Sequence, residues 1–483
     1  MTAEPIDVLI VGTGFSGLCA AILAKQAGFS IQLLEKGADV GGVWRENTYP
    51  GAACDVPWHL YSFSFFKEVR FSRRYPQQPE ILAYQQDCAR HYGLYDCTAF
   101  HTEVASARWD ESGKLWEVES TDGRRFQGRS LVCGVGQLSR PGWPNIPGLK
   151  DFSGPMFHSA EWDHSVDLKG KKVGVVGTGA SAIQFIPEIA KEAGQLTVFQ
   201  RSAPYVLPRV DGPYGWLNRM LFKHIPGYDK PFRYLLWKSG EMSTVAFDEG
   251  ENRVSKLYRW VTQRMREKQI PDPVLREKLT PDYPIGCKRI LFTSNYYPTF
   301  SRDNVRLVTE GVEAVTKQGL RTQDGEQHEF DVLIMGTGFK ATEFLAPMQI
   351  RGRGGMDLHQ QWQNGAEAYL GLTVPGFPNL FMMYGPNTHL GGNSIIFVIE
   401  CQARYLVQAL KALRDTPALE VRAEVSGRYN ADIQERLRHT VWNAGCSSWY
   451  HTADGRITNN WPGQTAEYRQ RTARFDPADY QPA

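Results

Sequence analysis

No two of the eight cysteines (Cys19, Cys54, Cys88, Cys97, Cys133, Cys287, Cys401 and Cys446) stand in a C-x-x-C pair. That spacing argues against both a zinc site and a disulfide framework, and it fits a reducing cytoplasm. Long apolar runs are missing too: none reaches the ~20 residues that span a bilayer, so no integral membrane segment is expected. The apolar N-terminus lacks a basic leader, carries Glu4 and Asp7 and is broken by glycines, which is unlike a secretory signal. Charge bias is absent as well. A net charge of +2, with Lys and Arg dispersed, gives no electrostatic reason to expect nucleic acid or an anionic membrane as partner. Low-complexity stretches are also absent. What is left is an ordinary globular balance, 42% hydrophobic and 22% charged over 483 residues, enough for two or three domains with substantial cores.

Two strand–turn–helix units stand out. Residues 7–11 (DVLIV) read as a buried parallel strand, Gly12-Thr13-Gly14-Phe15-Ser16-Gly17 as a turn, and residues 18–27 as the helix that follows. A second strand, residues 30–34, ends at Glu35, 18 positions after Gly17 and placed to accept hydrogen bonds from an adenosine ribose. The second unit has its strand at 173–176 and its turn at Gly177-Thr178-Gly179-Ala180-Ser181-Ala182, with alanine in the third glycine position. In such turns the first glycine permits the bend and the second lets the backbone reach a pyrophosphate. The helix N-terminus then offers its unpaired N–H groups to the phosphates. Two turns imply two nucleotides. The strand at 196–200 ends in Arg201-Ser202 where the first unit has an acid; a guanidinium there suits a 2′-phosphate, so the second nucleotide is expected to be NADP.

The first unit is followed by Gly41-Gly42-Val43-Trp44 and Tyr49-Pro50-Gly51-Ala52-Ala53-Cys54-Asp55, a stretch that an NAD unit would not need. Ahead of the second turn stands Phe152-x-Gly154-x-x-x-His158-x-x-x-Trp162-Asp163. Singly, His158 and Trp162 would be core or interdomain packing. The whole spaced pattern resembles the fingerprint of type I (class B) Baeyer–Villiger monooxygenases of the flavin-containing monooxygenase superfamily. Related N- and S-oxygenating enzymes share it up to the final aromatic. The likeness runs from about residue 5 to 475 and takes in Phe377-Pro378-Asn379-Leu380-Phe381 and Gly385-Pro386-Asn387.

This resemblance implies FAD on the first unit, with Gly12, Gly14, Phe15, Gly17 and Glu35 at its adenosine diphosphate, Gly42, Trp44, Asp55 and Tyr61 lining the flavin, and the Val104 backbone at the adenine. It implies NADPH on the second, held by Gly177, Gly179, Ser181, Arg201 and Ser202. In Gly286-Cys287-Lys288-Arg289-Ile290 it assigns Lys288 to the 2′-phosphate and Arg289 to a peroxyanion, with Asp55 orienting the guanidinium. Without the resemblance, Lys288-Arg289 would be an ordinary basic turn, Arg201 a solvated charge and Asp55 a loop cap.

The fold class expected is α/β, two Rossmann-like dinucleotide-binding domains for FAD and NADP with a helical insertion. The FAD domain occupies 1–147 and, with a C-terminal tail, 331–483; the NADP domain occupies 148–330, interrupted by helices at about 209–284. Further expectations are a helix at 77–93, a hairpin within 102–120, strands at 131–135 and 331–335, a return link at Gly336-Thr337-Gly338-Phe339 and a helix after Asn393. By the resemblance, NADPH reduces FAD, O2 forms a C4a-peroxyflavin, and one oxygen is inserted next to a ketone carbonyl to give an ester or lactone. The partners are then a small ketone and O2, with the oligomeric state left open. An N- or S-oxygenating monooxygenase and a flavoprotein with a redox-dependent binding role are the competing readings. A thiol reductase fits poorly because Cys54 has no cysteine within a few residues.

Overall fold

The computed structural model describes residues 5–66, 71–225, 227–446 and 448–483; Glu4 lies outside them. The apolar β-branched run at the N-terminus forms the strand Ile6–Val11, buried on both faces and paired in parallel with Ile31–Leu34 on one side and Arg125–Cys133 on the other. Arg125–Cys133 is longer than the 131–135 read from apolar residues, because its first half alternates exposed and covered and pairs antiparallel with Leu115–Ser120. Its second half pairs on that same edge with Leu380–Met382, which arrives from far along the chain. The helix Phe15–Gln26 is almost wholly buried: its small residues (Gly17, Ala20, Ala21, Ala24) let it sit close between this sheet and the apolar helix Ile395–Ala412.

The second sheet is all parallel, in the order Val305–Val308, Gln195–Phe199, Lys172–Val176, Val332–Met335, Met156–His158. Its nucleotide-unit helix, Ala182–Ile189, is short because Pro187 has no N–H to donate and crowds the preceding turn. The expected division at 330 needs correcting, since Val332–Met335 is an inner strand of this second sheet. The chain leaves it only after Met335, where Thr337–Lys340 runs back against the outgoing link: Gly142 N donates to Gly338 O (2.7 Å) and Lys340 N to Arg140 O (3.0 Å). An inner parallel strand is defined by partners distant in sequence, which turn residues do not reveal.

The insertion is helical, with Trp216–His224, Asp229–Ser243, Arg253–Gln269 and Pro273–Lys278. It docks on the first unit rather than projecting freely. Arg233 donates to Ser62 O (3.1 Å), and buried Glu241 accepts from Asn393 Nδ2 (2.7 Å) and Thr465 Oγ1 (2.6 Å). Cys287 and Cys446, 159 positions apart, are joined in a disulfide, a second departure from the sequence reading. A bond across that separation leaves no trace in local cysteine spacing. No described helix is long and apolar enough to cross a membrane, and no described group of His, Cys, Asp and Glu is arranged to hold a metal ion.

Candidate active site between the two sheets

In the first turn the backbone leaves no room for side chains. Gly12 has φ +93°, and a Cβ on Gly17 would lie 1.8 Å from Gly12 O. Gly14 faces Gly42, whose own φ is +51°, so two bare backbones form one concave surface at the start of the Phe15–Gln26 helix. Glu35 is buried at the end of its strand. Its Oε2 accepts from Thr13 N (3.0 Å) and Oγ1 (2.6 Å), its Oε1 from Gly37 N (2.8 Å) and Arg45 Nη1 (2.9 Å). A ribose hydroxyl reaching this carboxylate would take the place of one of these donors. Trp44 donates through Nε1 to Tyr61 OH (3.0 Å), and Phe15 meets the Tyr61 ring edge-on at 5.2 Å, giving an aromatic wall beside the glycine surface. Val104, buried, opens the first strand of the hairpin.

The second turn repeats the device. Gly177 has φ +107° and backs onto Gly336 O, which a Cβ would approach to 2.4 Å, whereas a Cβ on Gly179 would meet nothing within 4 Å. Ser181 begins the helix beyond it. Lys288 Nζ donates to Ser202 Oγ (2.8 Å) and lies 4.4 Å from the centre of the Tyr283 ring. Burial and then the neighbouring Arg201 charge pull the Lys288 ammonium below the usual lysine range. Two cations and a hydroxyl that converge in this way are suited to a phosphate.

Arg289, next in the chain, turns the opposite way. Its Nη2 donates to both oxygens of Asp55 (2.9 and 2.8 Å), and this pair bridges the second unit to the first. With side-chain exposures of 31% and 17% the pair opens onto the cleft. Among the described residues Arg289 makes its side-chain hydrogen bonds through Nη2 alone. The Asp55 charge raises the guanidinium above its already high range, so Arg289 is a permanent cation. A second bridge holds the units in register: Tyr49 OH and Ala53 N donate to Gln184 Oε1 (3.0 and 3.3 Å), and Gln184 Nε2 returns a bond to Ala53 O (2.9 Å).

The fingerprint does not enter the cleft. Gly154 abuts Asp331 O and the ring of Phe152, and His158 is fully buried between Trp143 and Phe339, at the links joining the two sheets. His158 Nδ1 accepts from Ala160 N (3.1 Å), and burial pushes its pKa down to about 4. Trp162 packs on Phe157 and Phe185, while Asp163 is exposed and caps a turn by accepting from Ser165 Oγ (2.6 Å). His158 thus lies at the joint, Trp162 against the core of the second unit and Asp163 on the surface. The sequence reading missed a group from the C-terminal part: Tyr384, whose OH pairs with His389 Nδ1 (2.5 Å), and Trp449 and Tyr450 against the His389 ring (5.2 and 5.9 Å). Burial and then Arg289 hold His389 down to about 3. The Gly385-Pro386-Asn387 stretch points to this region; no spacing connects it to Trp449 or Tyr450.

The flavin-binding monooxygenase-like family profile matches residues 6–229. A Baeyer–Villiger monooxygenase of Pseudomonas aeruginosa is 45% identical over 483 residues, covering 99% of this chain and 92% of that protein. The oxidised steroid monooxygenase bound to NADP superposes with a TM-score of 0.87 at 32% identity, and the structure of OTEMO in complex with FAD and NADP with 0.87 at 28%, each covering 99% of both chains. With two glycine turns, a cation pair at the second and an Arg–Asp bridge between them, the chain belongs to the flavin-binding monooxygenases, in their Baeyer–Villiger branch.

Proposed function

We propose that the cleft between the sheets carries out the Baeyer–Villiger oxidation of a ketone by O2, and that Arg289 is the cation that steers it. The protein is an enzyme, an FAD- and NADPH-dependent monooxygenase of this type. The residues present fit both cofactors. The Gly12–Gly17 surface admits only bare backbone against a pyrophosphate, with Glu35 at the ribose end, Trp44 and Tyr61 at the flavin end and Val104 offering backbone to the adenine. Gly179 leaves open space at the second turn, and Arg201, Ser202 and Lys288 supply the donors for a 2′-phosphate. When bound, the two cofactors supply the hydride and the activation of O2.

The carrying observation is that two consecutive residues face two different units. Lys288 reaches Ser202 of the second unit and Arg289 reaches Asp55 of the first, so one dipeptide ties the nucleotide phosphate to the flavin side. Arg289 holds a fixed positive charge where an oxyanion is needed, and Asp55 sets its direction without a proton changing hands. Burial holds Tyr450 up to about 12 and His389 down to about 3, so both stay neutral at pH 7 and leave the Arg289–Asp55 pair as the local charges. Tyr384 and Tyr450 lie near that pair, and with Trp449 they pack around His389, lining this side of the site with aromatic surface that lowers the local dielectric. NADPH as reductant favours a cytoplasmic enzyme. Product analysis by mass spectrometry over ketones, sulfides and amines tests the reading: esters or lactones from ketones support it, and sulfoxides or N-oxides without ester refute it.

A further inference from the structure

The stretch 284–290 carries Lys288 and Arg289, and the stretch 441–450 carries Trp449 and Tyr450. They are distant in sequence, yet Cys287 and Cys446 join them covalently. Among the described residues no hydrogen bond or ion pair runs between the two stretches. Their other contact is apolar: Cys287, Val441, Trp442 and Tyr450 share one cluster, and a Cβ on Gly286 would come within 3.2 Å of Val441. The 441–450 stretch has further anchors of its own, Trp442 stacked on Phe247 and Thr458 N donating to Tyr450 O (3.3 Å), but the disulfide is its directed link to the 284–290 stretch. Beyond it, Trp449 and Tyr450 lie against His389, and Tyr450 is near enough to Arg289 to feel its charge.

We propose that Cys287 and Cys446 form a reversible thiol–disulfide site that holds the stretch bearing Trp449 and Tyr450 against the Lys288-Arg289 stretch when oxidised and loosens it when reduced. Redox state would then set how well the oxygenation site excludes water; this regulatory half rests on the reading of Arg289 above. Cys446 is partly exposed and Cys287 buried, so exchange starts at the Cys446 sulfur. A dithiol reductant attacks Cys446 Sγ, the S–S bond breaks, and Cys287 leaves as a thiolate that takes a proton. The second thiol of the reductant then displaces Cys446, and two electrons and two protons have passed to the protein. Reoxidation by hydrogen peroxide reverses this: the Cys446 thiolate attacks the O–O bond to give a sulfenic acid and one water, and Cys287 displaces the second water as the disulfide forms. The six remaining cysteines are unpaired, and all but half-buried Cys97 are buried, which keeps them out of this exchange. Reversible pairs of this kind are the usual intracellular disulfides.

The test uses the full-length holoenzyme, treated with hydrogen peroxide or with dithiothreitol, cleared of reagent, then denatured and alkylated. Alkylation is expected to label six cysteines after peroxide and all eight after dithiothreitol, with the peptides of Cys287 and Cys446 linked in the first sample. Backbone hydrogen exchange around Trp449 should quicken on reduction and should be fast and redox-insensitive in Cys446→Ser. The ratio of ester to released hydrogen peroxide should fall in step. Eight labelled cysteines in both samples, or a link between another pair, overturns the site, as does unchanged exchange around Trp449. A changed thiol count and exchange with an unchanged ester-to-peroxide ratio overturns the regulatory half. Absence of ester in both states instead counts against the Arg289 reading and leaves the thiol result standing. If Cys446→Ser fails to fold, the two treatments of the wild type still decide.

Discussion

Replacing Lys288 by Ala isolates the phosphate-binding part of the site. Its ammonium is half-buried, bonded to Ser202 Oγ at 2.8 Å, and depressed first by burial and then by Arg201. It is a cation held in an unfavourable place that a 2′-phosphate would relieve. A charge-assisted hydrogen bond contributes about 1.5 to 3 kcal/mol, so its loss should lower the preference for NADPH over NADH by roughly 10- to 150-fold. Arg201 and Ser202 remain, so some preference should survive. Because NADH lacks the phosphate, its kcat/KM should hardly move. Removing one of two mutually repelling cations should also leave the protein without nucleotide at least as heat-stable as wild type. The assay is anaerobic flavin reduction over a concentration series of each nucleotide, with thermal melts alongside. An equal loss of kcat/KM for both nucleotides would refute the reasoning, for it would mean that Lys288 shapes the cleft and does not meet the phosphate.

Replacing Arg289 by Ala or Lys should abolish ester formation while FAD stays bound and anaerobic reduction by NADPH persists. Consumed NADPH should then appear as hydrogen peroxide, followed by stopped-flow absorbance and peroxide titration; wild-type ester yields from either variant would remove Arg289 from its role. One glycine from each turn should respond oppositely to gaining a methyl. Gly17→Ala puts a Cβ 1.8 Å from Gly12 O and should abolish the folded yellow protein. Gly179→Ala meets nothing within 4 Å, so it should fold with normal flavin content and lose affinity for NADPH, read by nucleotide titration. Finally, His158 and His389 are held down to about 4 and 3, below the unfolded value of about 6.5. The unfolded chain therefore binds more protons below that value, and stability is lost as pH falls from about 6.5 toward the folded values. Each should cost about 2 kcal/mol between pH 7 and pH 5, seen as a drop in melting temperature that His389→Gln reduces.

The two nucleotide units were legible because their signals are local. A buried strand, a glycine turn and a helix stand next to one another in the chain, and the steric demand on Gly17 comes from Gly12 within the same turn. The same holds for Arg201-Ser202 at a strand end and for the adjacent pair Lys288-Arg289. The spaced fingerprint identified the family, yet its His158, Trp162 and Asp163 lie at the joint and on the surface, away from Arg289. A recurring pattern reports shared architecture as readily as shared chemistry.

The tertiary structure alone decided which distant residues meet. Val332–Met335 looks like any apolar strand and became an inner strand of the second sheet only through pairing with Lys172–Val176 and Met156–His158. Tyr384, His389, Trp449 and Tyr450 gather by Arg289 from two separate C-terminal stretches, and Cys287 finds Cys446 across 159 positions. Sequence by itself determined the units whose geometry is closed by neighbours in the chain. The cleft between those units, its permanent cation and the aromatic group around His389 arise from contacts that exist only once the whole chain has collapsed, and no local spacing encodes them.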